Sequence, residues 1–336
     1  MKLHSGISAK HLLQMLGESL HKEQGQWKPV SYKTQGNEHQ EVLGQHRDEI
    51  VSWIIYQNNT FHFSPETVCL SIYLLDKFLQ HVKVRPKYLH CVAISCYFIA
   101  AKTLEEDEVI PCTVDLVKIS QVSCSVAEIL RMEAVILNKL NWNIKYVTAT
   151  DFLHILHAML MCYHPQLLDG LSDMTPSQHL GVLTRKLFFC LSNHRLQTFK
   201  PSVICLAMIS LELEQITQNW FSIMLMIQQM AGMDNKSLVW CRELISRFLV
   251  EKHLLPTGYH FLPHHPLRRI KTMKRKAEQV ESDEEVEDDI SDAIKRLYNE
   301  DTSCDGSLLR VSCGSEVHQD TEGTGGQLKP TPVAAN

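Results

Sequence analysis

The chain has 336 residues, 44% of them hydrophobic, and a formal net charge of −5. That is enough apolar mass for one large body or two smaller ones, and the acid excess excludes a protein whose main work is to coat nucleic acid, which needs a strongly basic face. Eleven cysteines make an odd number, and Cys69, Cys96, Cys190 and Cys205 fall in apolar helical stretches, so they read as buried reduced thiols rather than a disulfide framework. The N-terminus lacks the hydrophobic core of a signal peptide and no apolar run is long enough to span a membrane, which gives the expectation of a soluble intracellular protein.

Before residue 44 the pattern predicts one short amphipathic helix with Leu12, Leu13, Leu16 and Leu20 on one side. From about 44 to 250 the periodicity is helical, with short polar turns and little strand-like alternation, so the body is expected to be all-α. Ser64-Pro65-Glu66 is a helix start, with a hydroxyl at the N-cap and proline at the first helical position, where its missing N–H costs nothing. After it Val68, Ile72, Leu75, Leu79 and Val82 form one stripe. The next segment, opened by Pro86, is apolar almost all round from Leu89 to Ala101, as in a helix surrounded by other helices. Ser125 with Glu128 and Thr175 with Gln178 have capping-box spacing. The pattern restarts near Tyr146 to Thr150, and five further stretches open at Asp151, Thr175, Lys200, Asn219 and Asp234. Beyond 252 a basic cluster (Arg268, Arg269, Lys271, Lys274, Arg275, Lys276) precedes an acidic run from Glu281 to Asp292. That composition predicts disorder, with one short helix around Ile290 to Tyr298.

Particular residues then carry a resemblance. Arg47 with Trp53, Leu75-Asp76-Lys77-Phe78-Leu79, Pro86-Lys87-Tyr88-Leu89, Ala100-Ala101-Lys102, Glu128-Ile129-Leu130-Arg131-Met132-Glu133 and Leu140-Asn141-Trp142 together resemble a first cyclin box. Thr150-Asp151-Phe152-Leu153-His154, Thr175 to Leu180 and Ile294 to Asn299 look most like cyclins of the I type. The resemblance implies two consecutive five-helix boxes. Residues 1–43 form an N-terminal segment, 44–145 the first box, 146–252 the second and 253–336 the disordered tail.

The resemblance also implies roles. Asp76 lies beside apolar positions of its helix and needs a partner. In cyclins the arginine matching Arg47 supplies it, as a buried structural pair whose loss of one member would cost roughly 3–5 kcal/mol. Read singly, Lys102 is a cation at a helix C-terminus and Glu133 a solvated charge. The family motif makes them the pair that binds main-chain groups of a cyclin-dependent kinase, with Ile99, Leu137, Trp142 and Ile144 as apolar contacts or ordinary core. His46 and Glu49 stand where cell-division cyclins carry apolar residues of a docking groove, and polarity there weakens such a contact. Thr103 to Glu108 reads as a loop with one extra residue and extra acid.

The function implied is a non-catalytic regulatory subunit that binds and activates a cyclin-dependent kinase. Its alternatives are a scaffold that binds without activating and a transcription-factor-IIB-like adaptor. Acidic charge, the absence of a zinc ribbon and the Lys102/Glu133 pair argue against the adaptor. No phosphate loop, nucleophile elbow or zinc helix is written in the chain. His154 and His157 share a helical face without further ligands, so neither metal nor cofactor is expected. Lys274, Arg275 and Lys276 could serve as a nuclear signal, Ser282 before three acids as a phosphosite, and nucleus and cytoplasm are the expected locations.

Overall fold

The computed structural model describes residues 9–36, 40–172 and 174–251. All of them belong to one unit, Met1–Ile270. The expectations for Lys274, Arg275, Lys276, Ser282 and the short helix at Ile290 to Tyr298 lie outside the described residues.

Eleven α-helices follow one another, with no β-strand among the described residues. They are α1 (Ala9–Gln26), α2 (Gly44–Phe61), α3 (Pro65–His81), α4 (Leu89–Leu104), α5 (Thr113–Ser120), α6 (Val126–Lys139), α7 (Ala149–Tyr163), α8 (Pro176–Leu191), α9 (Pro201–Ile216), α10 (Trp220–Ala231) and α11 (Asn235–Glu251). Single 3-10 turns lie before α4 (Pro86–Tyr88) and α9 (His194–Thr198). The body is thus two consecutive sets of five helices, α2 to α6 and α7 to α11, preceded by α1.

The starts follow from side-chain chemistry. Ser64 accepts the Thr67 N–H, and Ser125 and Thr175 close reciprocal boxes with Glu128 and Gln178. Each satisfies donors that the first turn leaves unpaired. Thr148 with Asp151 does the same for α7.

Each set is built around one helix buried on every side. In the first it is α4, where Val92 through Ala101 are all buried and the closest packing is against α3, α6 and α2. In the second it is α9, buried from Ser202 to Ser210 and surrounded by α11, α7, α10 and α8. Helix α5 leans on α6.

Two expectations are corrected. Helix α3 is not a one-stripe helix: Thr67 to Phe78 are buried apart from Tyr73, and Leu79 and Val82 only partly so. Its back packs on α7 and α8, a contact that first-box periodicity does not encode. Helix α1 runs for 18 residues rather than being short, and Leu13 points outward at 37% exposure while Leu12 and Leu16 are buried. Positions 12, 16 and 20, the first two buried and the third partly so, repeat every four residues, which leaves residue 13 a quarter-turn away. On the same face Glu23 accepts the Ser202 N–H at 2.8 Å and its hydroxyl at 2.7 Å, so α1 docks on the second set and caps the start of α9. Burial raises the Glu23 carboxyl above its usual pKa, and the Ser202 bonds pull against that rise.

Candidate functional site

Lys102 stands in the last turn of α4, where a cation suits the helix C-terminus. Two residues before it, Ala100 and Ala101 are fully buried, so the chain has no bulk between Lys102 and the core. The ammonium lies 4.4 Å from the centroid of the Phe98 ring one turn back, within cation–π range. Glu133 projects from α6 and accepts a hydrogen bond from Lys102, bridging the two helices. The side chains are 39% and 14% exposed, so this pair sits at the surface with one open edge. Exposed apolar side chains flank both partners along the chain: Leu104 and Val109 after Lys102, Val114 at the start of α5, and Leu130 one turn before Glu133. Contiguous exposed apolar side chains mark interaction surfaces.

Of the four apolar contacts expected, Ile99 and Leu137 are buried core residues, while Trp142 is 67% exposed and Ile144 half-buried. Trp142 is held outward by its backbone. Asn141 and Trp142 both have positive φ, 51° and 58°, and the Trp142 N–H returns 2.8 Å to the Leu137 carbonyl. Consecutive left-handed residues without glycine store about 1–3 kcal/mol each, and such strain gathers at functional sites. Here it presents an indole edge to solvent, with Nε1 donating to Asn138 at 3.3 Å.

The loop after Lys102 is anchored by its first acid. Glu105 Oε1 accepts the Ser64 N–H and the Ser64 hydroxyl at 2.8 Å each, and also bonds the Thr67 hydroxyl. A carboxylate at the α3 N-terminus is favoured by the helix dipole. Glu106, Asp107 and Glu108 stay exposed. The extra acid is thus one structural residue and three solvated ones.

The Arg47–Asp76 pair is buried and bidentate, with Nε to Oδ1 at 3.0 Å and the second guanidinium nitrogen to Oδ2 at 2.8 Å. Burial acts to discharge Arg47, and the Asp76 carboxylate overrides it, holding the guanidinium pKa above its ordinary value. Two further partners were invisible in the sequence. Tyr32, from the α1–α2 connection, donates its hydroxyl to Asp76 at 2.6 Å, and the remaining Arg47 nitrogen donates to the Leu191 carbonyl at the end of α8. Burial and then the Asp76 charge push the Tyr32 hydroxyl well above its usual pKa. Beside them Asp48 accepts both the backbone and the ring N–H of His194, at 2.6 and 2.7 Å. A Cβ on Gly44 would meet that ring at 2.6 Å.

The polar replacements near Trp53 are surface features. His46 caps the Leu43 N–H at 3.2 Å, Glu49 is exposed and accepts from Gln45, and Trp53 meets the His90 ring edge-on at 5.2 Å.

The second set has its own polar core. Lys186 on α8 bonds Glu212 on α9, with Glu212 only 1% exposed and its Oε1 without a hydrogen-bond partner. Burial raises the Glu212 pKa and Lys186 pulls it back. His157 and His179 share a hydrogen bond at 3.1 Å, and burial lowers both to about 4, so the rings are neutral at pH 7. His154 instead points to Glu66, at 3.3 Å. The shared face expected for His154 and His157 therefore divides into one wet and one buried ring. Among the described residues no group of three or more potential ligands surrounds a metal site.

Two successive five-helix sets, each wrapped on a buried central helix, with a solvent-edged Lys–Glu bridge on the first, define a double-box helical protein. The cyclin N-terminal domain profile matches residues 16–145, a span that includes most of α1. The chain is 36% identical to human Cyclin-I2 over 214 residues, which is 64% of this chain and 58% of that protein. It is 32% identical to Cyclin-G1 of Bos taurus over 208 residues, covering 61% of this chain and 68% of that one. A viral cyclin from herpesvirus saimiri shares the fold at a TM-score of 0.51 and 20% identity, over 62% of this chain and 87% of the viral one. The chain belongs to the cyclin family. Its match covers little more than half the length of Cyclin-I2.

Proposed function

We propose that this cyclin is a non-catalytic regulatory subunit that binds and activates a cyclin-dependent serine/threonine kinase through the face around Lys102 and Glu133. The observation that carries the reading is the surface bridge between α4 and α6, with Leu104, Val109, Leu130 and Trp142 exposed in the segments that lead to and from it. On docking, the bridge opens. The Lys102 ammonium donates to a main-chain carbonyl of the kinase's αC segment and the Glu133 carboxylate accepts a main-chain N–H, while exposed apolar side chains of this face are buried. Activation follows if the bound αC is the one that completes the kinase's own Lys–Glu pair, because a ligand shifts an equilibrium only by its differential affinity for the two states. The reactive chemistry belongs to the kinase. In this reading residues 44–145 are the docking box, 146–252 its support, and no small-molecule substrate, membrane or nucleic acid is engaged. The protein works in nucleus and cytoplasm, with Lys274, Arg275 and Lys276 as the import signal.

The test is co-purification of the full chain with a panel of cyclin-dependent kinases, beside the folded Lys102→Ala/Glu133→Ala variant, with kinase activity assayed on each complex. One kinase captured and activated by the wild type, and lost by the variant, is the expected result. Capture without activity would replace the activator by a scaffold, and capture of no kinase would favour the adaptor.

A further inference from the structure

The described residues contain two Ser/Thr-Pro dipeptides, Ser64-Pro65 and Thr175-Pro176, each with its hydroxyl residue at an N-cap and its proline opening a helix. Their surroundings differ. Ser64 is half-buried, and its hydroxyl donates at 2.8 Å to Glu105 arriving from another loop, so a phosphate there would lie against a carboxylate. Thr175 is exposed, and its side-chain hydrogen bonds stay within its own first turn. Its hydroxyl donates to Gln178 Oε1 at 2.9 Å and accepts the Gln178 N–H at 3.2 Å. Its backbone is extended, with φ −86° and ψ 157°. The proline after it lacks an N–H and has a fixed φ, so an enzyme that takes this segment must do without a donor at that position.

An exposed hydroxyl on extended backbone, followed by proline and tied down only by the fraying end of a helix, is the substrate form of one enzyme class. We propose that Thr175 is a phosphorylation site for a proline-directed serine/threonine protein kinase. Thr175 Oγ1 attacks the γ-phosphorus of magnesium-bound ATP. The new Oγ1–P bond forms as the bond to the β–γ bridging oxygen breaks, ADP leaves, and the hydroxyl proton passes to the kinase's catalytic aspartate. The product is accommodated where it forms: the phosphate oxygens take over the Gln178 N–H at the positive end of the α8 dipole. The phosphate cannot donate to Gln178 Oε1, so the reciprocal half of the capping box is lost. The site opens α8, on a different helix from Lys102 and Glu133, and does not depend on the reading of that face.

The test treats the native full chain with magnesium-ATP and a purified mitogen-activated protein kinase as the proline-directed probe, and maps phosphate by tandem mass spectrometry. Phosphate on Thr175, with none on Ser64 until the chain is denatured, is the expected result. Thr175→Val should lose that phosphate, Thr175→Ser should keep it, and Pro176→Ala should lose most of it. Phosphate confined to other positions of the native chain, such as Thr331 before Pro332, would overturn the proposal, as would equal labelling of Ser64 and Thr175 before denaturation.

Discussion

The two boxes each join their central helix to a neighbour with a lysine–glutamate bridge, and the bridges are opposites in setting. In the first, Lys102 and Glu133 meet at the surface beside exposed apolar side chains. In the second, Lys186 and Glu212 meet in the core, 10% and 1% exposed. A surface pair is worth about 0–1 kcal/mol, because water and salt screen it. A buried pair pays heavy desolvation and strands its partner when broken. One pair of residue types thus serves two ends. In the second box it fixes packing, and in the first it costs the fold little to open, as the proposed docking role requires.

The largest expected effect breaks the buried bridge. Lys186→Met leaves Glu212 charged and uncompensated and should lower stability by about 3–5 kcal/mol in denaturant unfolding, while adding Glu212→Leu should recover most of the loss. Failure of the second change to rescue the first would show that the bridge itself contributes net stability. Next comes acid. His157 and His179 are held at about 4 in the folded protein against 6.5, so their contribution is present above pH 6.5 and is lost as pH falls toward 4. The slope follows from proton uptake on unfolding. Lowering the pH from 7 to 5 should cost roughly 3–4 kcal/mol for the two rings together, and His157→Leu/His179→Leu should flatten that profile.

Smaller still is the strain at Trp142. Trp142→Gly at φ 58° should raise stability by about 1 kcal/mol and weaken kinase capture, two effects of opposite sign read by thermal melt and pull-down. The smallest change in stability belongs to Lys102→Ala, about 0–1 kcal/mol, with loss of kinase capture. A large destabilisation there would erase the contrast between the boxes.

Legibility followed distance along the chain. Helix starts at Ser64, Ser125 and Thr175 were readable because cap and partner lie three residues apart. The central helix was readable because burial on all sides leaves no polar face. Arg47 and Asp76 were readable through family motif, since neither spacing nor periodicity couples residues on two helices. Contacts that close long loops left no trace: Glu23 to Ser202, Tyr32 to Asp76 and Glu105 to Ser64 each join a polar residue that looks solvated in its own segment. The same limit hid the rear face of α3. Around the surface bridge, Leu130 carried a usable signal, being one helical turn from Glu133, whereas the burial of Ile99 and Leu137 depends on how α4 and α6 meet.

Arg47 touches three parts of the chain, its own helix, Asp76 29 residues away and the Leu191 carbonyl 144 residues away. A contact of that sequence separation closes late in folding, after local helices have formed, because loop closure must precede its reward. The ribosome must therefore have released α8 before the guanidinium at the start of the first box finds its last acceptor. A nascent chain halted at residue 145 would hold a charged, buried arginine still short of one partner. The two boxes should accordingly unfold in one cooperative transition, and the first, made alone, should fold as a looser species than it is within the whole.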